Sequence, residues 1–69
     1  MTQDQLEKLL VCANKVGIYN KAILGLAAEM QANKDQGAPK IREGCEDIMN
    51  GLTKIHNALA EKIPGFKKL

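Results

Sequence analysis

Two stripes of residues, each spaced in alternating steps of three and four, run along this chain and are parted by one short break. The first is Leu6, Leu9, Ala13, Val16, Asn20, Ile23, Ala27 and Met30, with Asn20 its one polar member. The second is Ile41, Cys45, Ile48, Leu52, Ile55 and Leu59. Steps of three and four gather side chains on one face of an α-helix. The break, Asn33 through Pro39, holds Gly37, which suits a left-handed turn, and Pro39, which suits the first position of a helix. The spacing predicts an all-α fold, an antiparallel two-helix hairpin within a single domain spanning residues 1–69. Its first helix covers about 3–33, the loop 34–38, the second helix about 39–63, and a basic tail 64–69. Thr2 and Gln5 carry the spacing of a capping box at the start of the first helix.

A hairpin leaves each helix with one neighbour, and a chain this short buries only about 60% of its unfolded surface. Two hairpins joined as a homodimer would make a four-helix bundle and cover the stripes. The first helix asks for this more strongly than the second. With Leu6 at heptad position a, apolar residues stand at a and d, and again at e (Leu10, Leu24) and g (Cys12, Tyr19, Leu26). That arc is wider than one seam needs. Asn20 at a reads as a core amide that fixes register, or as an amide at a binding surface. Gly44, Gly51 and Ala58 recur at intervals of seven on the second helix, where small residues admit a close neighbour.

Charge and composition exclude several classes. Ten basic and eight acidic residues leave a formal charge of +2, too little to imply nucleic acid by itself. In a hairpin turning near Gln36, Cys12 stands opposite the region of Ala60 and Cys45 opposite that of Ala27. This separation is too great for a disulfide, and free buried thiols suit a reducing compartment. No secretory signal pattern is visible, and no unbroken apolar run reaches the roughly 20 residues of a membrane span. The expected location is the cytoplasm.

Catalysis finds little support. The chain has no serine and a single histidine, His56. Cys45 precedes His56 by about 16 Å along one helix, far beyond hydrogen-bond reach. Cys12 could approach His56 across the hairpin, but no third group stands ready to orient the imidazole. Neither metal-ligand spacing nor a glycine-rich phosphate loop is present. The expectation is a protein that is not an enzyme, with no cofactor and no metal.

Binding is better supported. Val11 and Ile18 occupy f, the heptad position farthest from the seam, and with Lys15 and Tyr19 they form a patch about two turns long. Apolar residues outside an expected core often mark an interaction surface; the alternative is that the dimer wraps further round this helix. The lysines are dispersed and only Arg42 is arginine, yet an RNA-binding helical-hairpin dimer remains an alternative on size and architecture.

Met1-Thr2, Leu6, Leu9-Leu10, Tyr19-Asn20, the run from Cys45 through Leu59 and the basic tail together resemble a family of small phage-encoded helical hairpins. These are related to the phage anti-activator that blocks quorum sensing in its host. The resemblance implies a homodimer that inhibits a host protein, a LuxR-type transcription activator. It also implies possible action on the type IV pilus assembly ATPase. Tyr19 falls where that family has an aromatic contact residue, whereas Glu46-Asp47-Ile48 departs from it in lacking an aromatic. A DNA-binding surface is often basic, which makes Glu43, Glu46 and Asp47 candidate partner contacts beside Val11, Lys15, Ile18 and Tyr19. Phages also use helical-hairpin oligomers as cyclic-nucleotide sponges. In that alternative Tyr19 would stack on the base, and Lys15 or Lys21 would meet the phosphate.

Overall fold

The computed structural model describes residues 1–69 as two helices with no strand: α1, Gln3–Ala32, and α2, Ala38–Ala60. They pack side by side in a rod of 46 × 18 × 16 Å. The all-helical hairpin expected from the two stripes is the observed fold.

The local signals explain both ends of α1. Thr2 is extended, and its hydroxyl accepts from the Gln5 backbone N–H at 3.1 Å. The Gln5 side chain accepts from the Thr2 N–H at 2.9 Å, which completes the capping box. At the other end, Asp35 N–H donates to Met30 C=O at 2.9 Å and Lys34 N–H to Gln31 C=O at 3.0 Å. This pair of bonds is a Schellman closure, which requires a left-handed residue just past the cap. Lys34 takes that conformation, with φ 59°.

The left-handed position is therefore Lys34 and not Gly37, whose φ of −78° and ψ of −18° are right-handed. The reason is that Asn33 caps α1, so the reversal falls on the next residue. Asp35 then bridges to the second helix: its Oδ1 accepts from Gly37 N–H at 2.8 Å. α2 begins one residue before Pro39 and stops at Ala60, short of the expected residue 63. Pro64 keeps the helix from reaching residue 63, because the residue before a proline is driven out of the helical region. Single turns continue beyond it, with Ile63 N–H still donating to Leu59 C=O at 3.1 Å.

Only six residues are buried: Leu6, Asn20, Ala27, Ala38, Cys45 and Leu59. Five of them belong to the two sequence stripes. Of the other stripe members, Ala13, Met30, Ile41 and Leu52 are half-buried, and Leu9, Val16, Ile23, Ile48 and Ile55 are exposed. The division is geometric. At about 100° per residue, Leu9, Val16 and Ile23 lie some 60–100° round α1 from Leu6, outside the arc one neighbouring helix covers.

The register also differs from that of a turn centred on Gln36. The loop between Ala32 and Ala38 is centred on Asp35, which lowers each cross-helix pairing by two residues, and the packed helices are offset further in the same direction. Cys45 faces Asn20 and not Ala27, and Cys12 shares a groove with Gly51, Leu52 and Ile55 and not with Ala60. Both cysteines are free, but Cys12 is exposed, so the expectation of two buried thiols holds for Cys45 alone.

Candidate functional site

Two apolar surfaces flank the seam between the helices, one on each side. The first is a groove of about 540 Å³ whose walls include Leu10, Ala13, Met49, Leu52 and Leu59, with Val11, Asn14, Thr53 and His56 at its edges. Its far end is closed by the tail. Gly65 (φ +81°) turns the chain back, and Phe66 settles against His56 with ring centroids 4.4 Å apart. Three polar contacts hold the tail down. His56 Nε2 lies 2.8 Å from the Lys67 carbonyl, Leu69 N–H donates to Asn57 Oδ1 at 2.8 Å, and Lys68 Nζ reaches Glu61 at 3.0 Å. The hydrogen bond from Lys68, together with its charge, holds the Glu61 carboxyl below its ordinary value.

The second surface is a shallower groove of about 260 Å³ lined by Leu9, Cys12, Ala13, Val16, Ile48, Gly51, Leu52 and Ile55. No charged side chain lines it. Ile23 extends the same stripe along α1 and is likewise exposed.

Between the two surfaces sits Asn20, 3% exposed. Its Nδ2 donates to the Cys45 carbonyl at 3.1 Å, and the Cys45 thiol lies 4.0 Å from the Asn20 carbonyl. Its Oδ1 is buried without a partner within the hairpin. Asn20 is thus a core amide, and only half satisfied. Swapping oxygen and nitrogen would set two acceptors against each other, so the donor must face Cys45.

The sequence-predicted contact residues do not form one patch. Val11, Lys15 and Ile18 fall on one outward stripe of α1, and Tyr19 lies about 100° further round, toward the side of Cys12, Val16 and Ile23. Ile18 and Tyr19 are 64% and 69% exposed, so neither is core within a hairpin. Glu43 and Glu46 line a small polar hollow with Gln31, Pro39 and Arg42 near the loop, where Arg42 donates to the Gln31 side chain. Asp47 is exposed on α2. The acidic residues belong to the loop end of α2, and the apolar patch belongs to α1.

Sequence reasoning missed the tail as part of a site. The signal was there: Pro64-Gly65 forces a turn, and Phe66 and Leu69 are the apolar residues such a turn can fold back. Cys12 and His56 line opposite grooves, so the hairpin does not bring them together. No group of three or more His, Cys, Asp or Glu residues lies close enough to hold a metal ion.

α1 has one further property. By length and composition it is long and apolar enough to cross a membrane, and only 6% of its most apolar 18-residue stretch is buried in the hairpin. Asn14, Lys15, Asn20 and Lys21 stand near its middle.

The class defined by these features is an antiparallel helical hairpin with apolar surface on both flanks. No family model, no curated protein and no solved structure matches the chain.

Proposed function

We propose that this chain is a non-enzymatic binding protein that self-associates into a four-helix bundle and captures another protein through the outer face of α1. The observation that carries this reading is the exposure of Val11, Ile18, Tyr19 and Leu26 on a helix that buries only Leu6, Asn20 and Ala27. Apolar residues held in water on a folded scaffold favour association, and tyrosine is enriched at the energetic centres of interfaces. The middle of α1 speaks for protein over lipid as the covering phase. A lysine at the centre of a bilayer costs about 2.5–3.5 kcal/mol, and Lys15 and Lys21 both lie there.

The resemblance to phage anti-activators supplies the target of this reading: a LuxR-type transcription activator in the host cytoplasm, kept off its DNA. Glu43 and Glu46, in a hollow they share with Arg42 at the loop end of α2, would offer carboxylates to a basic DNA-binding surface as a second contact apart from the α1 face. Action on the type IV pilus assembly ATPase has no comparable support among these contacts.

The test is capture by the purified chain of a LuxR-type activator's DNA-binding domain, alongside affinity capture from a nuclease-treated bacterial lysate. Ile18→Asp should keep helicity and assembly mass while capture is lost, and Tyr19→Ala, nearer the flank of Cys12, should keep helicity while capture is lost. If either variant unfolds the chain, these side chains are core and the site is wrong. RNA that co-purifies and vanishes with nuclease would favour an RNA-binding hairpin, and a bound ultraviolet-absorbing nucleotide would favour a sponge.

A further inference from the structure

We propose that the flank lined by Leu9, Cys12, Val16, Ile48, Gly51 and Ile55 is the seat of a second copy of this chain. The stripe that the sequence presents as one core then divides in two. Leu6, Ala13, Asn20 and Ala27 close the hairpin, while Leu9, Val16 and Ile23 close the dimer. This inference rests on the self-association proposed above and names the surface that carries it.

The first argument is area. The hairpin exposes 5479 Å², whereas a compact monomer of its 7.5 kDa mass exposes about 4,200 Å². The excess, roughly 1,200 Å², exceeds the roughly 800 Å² each partner contributes to a standard stable interface. One further copy would cover about two-thirds of it, and the outer face of α1 holds the remainder.

The second argument is chemistry. This flank carries no charged side chain, and the Cys12 thiol is its one weakly polar group, which suits the charge-depleted core of a homodimer interface. The opposite flank is broken by Asn14, Thr53 and His56 and is partly filled by Phe66 of the chain's own tail.

The third argument is room. A Cβ added at Gly44 or Gly51 would meet nothing within 4 Å, so the hairpin itself does not require glycine there. The same openness holds at Gly25 on the far side of α1, but of these glycines Gly51 alone lines this flank, where its lack of a side chain leaves room for a helix from outside the hairpin.

Sedimentation equilibrium on the full chain between about 1 and 200 µM tests the assignment. The wild type should sediment near twice 7.5 kDa. Gly51→Arg, whose Cβ would meet nothing within 4 Å in the lone hairpin, should keep its helicity by circular dichroism and sediment as one copy. Its dissociation constant should rise by at least about a hundredfold. Val16→Glu, on the facing helix, should do the same and guards against a folding defect in the first variant. Ile18→Asp, off this flank, should retain the doubled mass. Unchanged assembly in helical Gly51→Arg and Val16→Glu would overturn this surface while leaving self-association standing. A wild type of single mass at 200 µM would overturn both, and would leave capture by the outer face of α1 to be judged by its own assay.

Discussion

α1 and α2 lie side by side, and each buries three residues, yet they are different kinds of helix. α2 is two-faced. Cys45 and Leu59 face α1, while Glu43, Glu46, Asp47, Asn50 and Lys54 face water. One neighbour covers only part of its apolar side, since Ile48, Met49 and Ile55 stay exposed beside the seam. α1 carries Leu9, Val11, Val16, Ile18, Tyr19, Ile23, Leu24 and Leu26 exposed at headings spread round most of its circumference. One neighbour cannot satisfy it. The lesson is that α2 keeps one apolar side, shared between the hairpin and one flank, whereas α1 is apolar well beyond anything a single neighbour covers.

The largest expected effect tests the shared side of this contrast. Leu59 is the one large side chain sealed completely between the helices. Leu59→Ala should cost about 2–5 kcal/mol and should lower or abolish the cooperative thermal transition followed by circular dichroism. A loss under about 1 kcal/mol would mean that the outer flanks hold more of the stability than the seam does.

Asn20 tests the boundary between the two sides. Asn20→Leu removes the bond to the Cys45 carbonyl, worth about 1 kcal/mol, and also removes the unpartnered Oδ1. Helicity should persist, and the assembly should lose its single mass before it loses its fold. A sedimentation profile identical to wild type would deny Asn20 a role in register.

The loop sharpens the contrast from the stabilising direction. Lys34 holds a left-handed conformation that costs an L-residue roughly 1–2 kcal/mol and glycine almost nothing. Lys34→Gly should raise stability by about 0.5–1 kcal/mol in urea titrations, after the greater freedom of glycine in the unfolded chain is subtracted.

The smallest effect belongs to the tail. The Glu61 carboxyl is lowered in the fold, first by its hydrogen bond from Lys68 and then by that residue's charge. Its contribution is therefore complete above the ordinary carboxylate value and is lost as pH falls through the lowered one. The ring-current shift between Phe66 and His56 should decay over that acid window in proton NMR. Glu61→Gln should remove that part of the titration.

Much of this was legible in the residues. The spacing of Leu6 through Met30 and of Ile41 through Leu59 required two helices on either side of a turn. Thr2 and Gln5 marked the start of α1, and Pro64 marked the region where α2 ends. Such signals are local: helical period, capping hydrogen bonds and a missing N–H act within a few residues, so the order of the chain carries them.

What the order of residues left open was settled by the relative placement of the helices. Periodicity puts Leu6 and Leu9 in one stripe, but only a second helix at a particular angle and register buries one and leaves the other in water. The same placement set Asn20 against Cys45 and parted Cys12 from His56. It also set Phe66 against His56: Pro64-Gly65 announced the turn, but not the surface to which the tail returns. Burial depends on where the neighbouring backbone lies, and that is a long-range property fixed when the two helices pack.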